Sequence, residues 1–249
     1  MILTPPWWAG ETTLGINEFR EGRYDAAFRR FDGIIKGDRL HGADQDAPDA
    51  VLWYHGLSAA HLADFDGAVR DFSILTGRAV ARSKGEERDQ EIDAFEANDL
   101  RYMLATMRYL GGHYAEAIAT FQRSLEFDLS LYMAHVQMAR IYEAARIWPK
   151  AILERRRAVE ANSASADLLA DLGSTLILAD SAAGAEEPLQ TAATLNPRDA
   201  RVPYLLGLAE ARLGHADQAR DAYNRFLAIA PSSYASQVSE IRARLAMSQ

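Results

Sequence analysis

The sequence predicts an all-α protein of six consecutive helical hairpins closed by one further helix, and three observations predict it. The composition leans to Ala, Leu and Arg with only eight prolines in 249 residues, and those three residue types lose little side-chain freedom in a helix. An alanine recurs at Ala117, Ala151, Ala185 and Ala219, each 34 residues after the last, and a second set of small residues, Ala105, Ala139, Gly173 and Gly207, keeps the same period. Apolar residues then fall at helical spacing around these marks, as Ala219, Tyr223 and Leu227 do.

Upstream the two phases continue at Ala27 and Ala68 and at Gly15 and Gly56, with gaps of 41 and then 49 residues. Both phases jump together, as an insertion of 7 and then of 15 residues between intact repeats would make them do. A small residue on each helix of a hairpin lets the two backbones approach, and stacked hairpins bury a continuous core that no single one could.

Taken in order, residues 1–7 form an N-terminal arm led by prolines, whose Trp7 and the adjoining Trp8 are placed to fill a groove or the open first face of the stack. The repeat units span 8–41, 49–82, 98–131, 132–165, 166–199 and 200–233. Residues 42–48 read as a polar connection; Asp44, Asp46 and Asp49 lack the glycine and distal Glu of a calcium loop. The insertion 83–97 carries Ile92 and Phe95 in helical phase with Tyr102, which predicts an extended helical hairpin turning near Gly85, with a charged loop as the alternative. Pro188 is expected in a first turn, which tolerates proline. Residues 234–249 form a capping helix with Val238, Ile241 and Leu245 inward and Gln237, Glu240, Arg242 and Arg244 outward.

The pattern resembles the tetratricopeptide repeat. Leu14-Gly15, Leu172-Gly173 and Leu206-Gly207 match its Leu-Gly pair, Phe31, Phe72, Phe121 and Tyr223 its aromatic, and Pro197 and Pro231 its closing proline. Arg155 and Leu189 stand where the aromatic is expected, the early Trp is missing, and the first four units lack the closing Pro, so units four and five are expected to pack less regularly. The resemblance implies a right-handed superhelical solenoid whose first helices line a concave groove. Mapped onto this sequence, the partner-binding positions are Ile16, Phe19, Trp53, Leu57, Tyr102, Thr106, Tyr109, Arg140, Tyr204 and Leu208. Some members clamp a chaperone tail's carboxylate with Lys and Asn. Here Thr12, Trp53, Tyr102, Val136, Ala170 and Tyr204 stand where the first such Lys would recur, so that activity is not implied.

A formal net charge of −8 argues against a nucleic-acid surface. There is no cysteine, and no apolar run reaches the 18 residues a membrane span needs. Residues 1–10, MILTPPWWAG, lack the basic and apolar regions of a secretory signal; cytoplasm is the default expectation, with a periplasmic location after removal of a leader as the alternative. Phosphate loops, nucleophile elbows and His-Glu-x-x-His pairs are absent. The histidines His41, His55, His61, His113, His135 and His215 are scattered over different units and read as surface or packing residues, and Arg155-Arg156-Arg157 reads as a solvated face before it reads as a site for an acidic partner.

No catalytic residue, metal or cofactor is therefore expected. The leading expectation is a scaffold that holds a peptide or helix of a partner protein, for assembly or regulation of a complex. The alternatives are a self-associating structural subunit, which would be a homo-oligomer, and an accessory domain excised from a larger protein.

Overall fold

In a computed structural model the described residues are 8–37, 47–84 and 90–247, with 90–95 described in backbone alone. They contain thirteen α-helices and no strand. Residues 1–7, most of the connection 42–48, Gly85, and the side chains of Ile92 and Phe95 lie outside this description.

The helices fall into two units, 1–128 and 129–249. In the first, α1 (Trp8–Arg20) pairs with α2 (Tyr24–Ile35), α3 (Asp49–His61) with α4 (Phe65–Arg82), and α5 (Gln90–Leu110) with α6 (Tyr114–Phe127). In the second, α7 (Tyr132–Ala144) pairs with α8 (Trp148–Ala161), α9 (Ala166–Leu178) with α10 (Ala182–Leu195), and α11 (Arg201–Leu213) with α12 (Ala216–Ile229). A single 3-10 turn, Ser232–Tyr234, leads into α13 (Ala235–Met247). Trp8 opens α1 and packs half-buried against the first unit's core, so it belongs to a helix and not to an arm.

The two small-residue phases have a common physical cause. A Cβ on Gly15 would come within 2.6 Å of the Phe31 ring, one on Gly56 within 3.1 Å of Phe72, and one on Gly173 within 2.5 Å of Leu189. Each first helix thus leaves a notch that receives the large side chain of its partner helix. Phe31, Phe72, Phe121 and Leu189 are fully buried there, beside Ala27, Ala68, Ala117 and Ala185. Close packing of this kind leaves no room for an added methyl without displacing a neighbour.

Between the two helices of each hairpin the chain reverses through one left-handed residue, and all six occupy the same phase: Gly22, Ala63, Gly112, Arg146, Asp180 and Gly214. Glycine adopts this conformation freely; Ala63 (φ 61°) and Arg146 (φ 55°) hold it against the clash of their Cβ atoms. Repeat packing, which fixes both flanking helices, sets the turn more firmly than the residue in it does.

Pro188 departs from its expected place. It lies inside α10 and is buried, not in the first turn. It has no N–H to give the carbonyl of Gly184, four residues earlier, and the apolar packing around Leu189 and Ala192 holds the helix together across that gap.

α4 and α5, at 18 and 21 residues, outrun the other paired helices, which have 12 to 14. Arg82, the last residue of α4, ties Glu96 of α5 at 3.1 Å and Asp49 of α3 at 3.0 Å.

α13 buries Ile241 completely against a cluster that includes Tyr223 and Phe226, with Val238 and Leu245 half-buried beside it. Its Glu240, Arg242 and Arg244 face water. Deleting residues 234–249 is expected to uncover this apolar surface and drive self-association. Static light scattering over a concentration series checks it, and an unchanged mass would mean that α13 does not act as a cap.

Candidate functional site

In two places the first helices of neighbouring hairpins touch: α1 meets α3 in the first unit, and α9 meets α11 in the second. Second helices back them. Each unit therefore presents a face made of first-helix side chains, and the candidate residues divide between the two faces.

On the first unit's face Ile16, Phe19, Trp53 and Leu57 are all half-buried and packed against the core behind them. Phe19 sits edge-on to Tyr24, Tyr54 and His61, at 5.3 to 5.6 Å between ring centroids, and the His61 ring stacks on Tyr24 at 3.8 Å. Trp53 stands edge-on to the buried Phe72 at 5.5 Å. Tyr102 leans on buried Phe121 at 5.6 Å and Tyr109 on Tyr114 at 6.1 Å. Thr106 turns its hydroxyl back to donate to the Tyr102 carbonyl at 2.9 Å. Phe19, Trp53 and Tyr102 are thus anchored on one side by buried residues, Tyr109 stands against the exposed Tyr114, and all four keep part of their surface exposed.

Between α3 and α5, beside Trp53, a cavity of about 400 Å³ opens, lined by Ala50, Leu75 and Leu100 and edged by Asp49, Glu96 and Asp99. Nothing in the 34-residue period announces it, because it depends on helices that run past the repeat.

On the second unit's face Arg140 is exposed, and Tyr204 and Leu208 are half-buried. Tyr204 packs toward α13, with its ring 5.3 Å from Phe226, so it is engaged in the contact with the closing helix. Burial pushes its phenol pKa up, and the nearby Glu240 carboxylate adds to the effect.

Arg155 overturns the reading of its basic run as a solvated face. Arg156 and Arg157 are exposed, but Arg155 is buried in the slot that Phe31, Phe72 and Phe121 fill elsewhere. Its guanidinium donates to both oxygens of Glu143, at 2.8 and 3.1 Å, and to Asp171 at 2.9 Å. Glu143 also accepts from the Thr175 hydroxyl at 2.5 Å. Two buried His–carboxylate pairs add to the polar interior: His55 with Asp71 at 2.7 Å and His135 with Glu154 at 2.6 Å. At the first hairpin Arg30 binds Glu18 through two hydrogen bonds of 2.8 Å and holds that carboxyl below its usual range, against the opposing effect of burial.

His215 is less isolated than its sequence position implies. Its Nδ1 lies 2.8 Å from Glu210, and Glu186 joins them, with one ligand atom from each within 4.8 Å of the others. This triad sits at the surface of the second unit, with His215 exposed. Among the described residues no helix is long and apolar enough to cross a membrane.

Comparison with known proteins agrees with this geometry. A family model for the tetratricopeptide repeat matches residues 204–233. The fold is that of a tetratricopeptide-repeat protein. The C-terminal part of a TPR repeat-containing protein from Cytophaga hutchinsonii superposes with a TM-score of 0.73 at 13% identity, over 92% of this chain and 84% of that one. MamA gives 0.59 at 18% identity, over 72% and 90%. YrrB, described as a TPR protein with an unusual peptide-binding site, gives 0.52 at 16% identity, over 78% and 89%. No curated protein matches the sequence.

Proposed function

We propose that this chain is a protein-interaction scaffold, without catalytic activity of its own, that binds a peptide or helix of a partner on the first-helix face of its first unit. The observation that carries the reading is the set of half-buried rings there, Phe19, Trp53, Tyr102 and Tyr109, the first three resting on buried core residues and Tyr109 on the exposed Tyr114. Aromatic side chains that are already held in place lose little freedom on binding, and rings of this kind dominate many interfaces. A segment laid across the face would find pockets for its anchor residues, as helices and extended peptides do in grooves. YrrB, which shares the fold, is described as having an unusual peptide-binding site, and this supports a peptide as the class of ligand.

The test is a peptide selected on the purified protein from a random display library. Trp53→Ala and Tyr102→Ala should each weaken its binding by about 2 kcal/mol, roughly thirtyfold in Kd. Both rings are half-buried, so thermal melts should show a smaller loss of stability than truncation of a fully buried ring causes. Unchanged affinity in both variants, with a large drop in melting temperature, would make these rings core residues and remove the site.

A further inference from the structure

We propose that the cavity beside Trp53 receives a lysine or arginine side chain of the bound peptide. This rests on the reading of the first-helix face as the binding face, and names the chemistry one of its pockets selects.

The walls are apolar. Ala50 and Trp53 of α3, Leu75 of α4 and Leu100 of α5 line the cavity. The mouth is acidic, with Asp49, Glu96 and Asp99 around it. Two of those carboxylates are already matched: Arg78 reaches Asp49 at 2.5 Å, and Arg82 bridges Asp49 and Glu96. Asp99 is exposed and makes no ion pair or side-chain hydrogen bond among the described residues. Among the described residues around the cavity, three carboxylates against two guanidiniums leave one negative charge in excess.

That combination discriminates between candidate anchors. A Leu or Phe would fill the walls but would bring its apolar surface against the Asp99 carboxylate and strip water from it without compensation. A Lys or Arg runs its methylene stem along the Trp53 ring and Leu100 and leaves its cationic head at the mouth. The indole face adds attraction for a cation. The net charge of −8 on the whole protein favours approach of a basic segment from a distance.

The probe is again the random-peptide display library, selected on this 249-residue chain. The expected result is a lysine or arginine fixed at one position in the selected peptides. Asp99→Asn should weaken a synthetic copy about three- to fivefold, the range for a partly screened ion pair. Replacing the fixed basic residue by norleucine should cost the wild type as much and the Asp99→Asn variant almost nothing. Asp99→Lys should shift the selection toward Asp or Glu at that position. Peptides that lose binding in Trp53→Ala but carry no fixed basic residue, or ignore Asp99→Asn, overturn the basic pocket and leave the binding face standing. Binders indifferent to Trp53, or a library that yields none, overturn the face and the pocket together. Asp99 is on the surface, so circular dichroism should find both Asp99 variants folded as the wild type is.

Discussion

Replacing Arg155 with Ala is expected to cost about 3–5 kcal/mol of folding stability, the usual loss when one partner of a buried ion pair is removed. Its side chain is 6% exposed, and it holds Glu143 by two hydrogen bonds and Asp171 by one. Truncation leaves two carboxylates facing each other across the void, with the Thr175 hydroxyl still donating to Glu143 and Arg201 still 3.4 Å from Asp171. Both acidic side chains keep some contact with water, at 20% and 29% exposure, which recovers part of the loss and favours the lower half of that range. Urea denaturation of wild type and variant checks it. Arg155→Phe should be milder than Arg155→Ala, since the ring fills the slot as Phe121 does one unit earlier, though both carboxylates still lose the guanidinium and keep only Thr175 and Arg201. If Arg155→Ala costs under about 1 kcal/mol, the guanidinium is held by its neighbours without holding them.

Arg155 also shows where the sequence was legible and where it was not. The two phases that place small residues against large ones are local and repeat at 34 residues, so the hairpins and their packing notches could be read directly. The burial of Arg155 follows from the same phase, but its partners Glu143 and Asp171 lie on two other helices, and a run of three arginines looks solvated unless phase is weighed above composition. The turns gave a partial signal: Gly22, Gly112 and Gly214 sit at the left-handed position and Asp180 tolerates it, whereas Ala63 and Arg146 occupy it without any local reason. Pro188 misled because a proline usually marks a helix start, and here tertiary packing carries it in mid-helix.

The candidate site was legible in its rings and illegible in its pocket. The repeat phase put Phe19, Trp53, Tyr102 and Tyr109 on first helices, and the resemblance alone put them on a groove. The cavity depends on how α3 and the lengthened α4 and α5 come together, and Asp99 gains meaning only once Arg78 and Arg82 are seen to engage the neighbouring carboxylates. Charge in a sequence counts residues; a pocket is governed by the excess left after pairing.

Phe72→Ala should lower stability by about 3–5 kcal/mol, as the loss of a fully buried ring does. Phe72 is 0% exposed, sits in the notch left by Gly56, and carries the edge of Trp53 on its ring. Its removal empties the centre of the second hairpin and also withdraws the support that fixes the Trp53 rotamer, so peptide affinity should fall although Phe72 itself touches no ligand. Trp53→Ala should show the opposite balance, a large loss of affinity with a smaller loss of stability. In the double variant the stability losses should sum to less than the two singles together, because the edge-to-face contact can be lost only once. Thermal melts and peptide titrations on the three variants give both quantities. Strict additivity in stability would mean that the two rings do not support one another, and a Phe72→Ala protein that binds peptide as tightly as wild type would show that the Trp53 side chain is positioned by α3 alone.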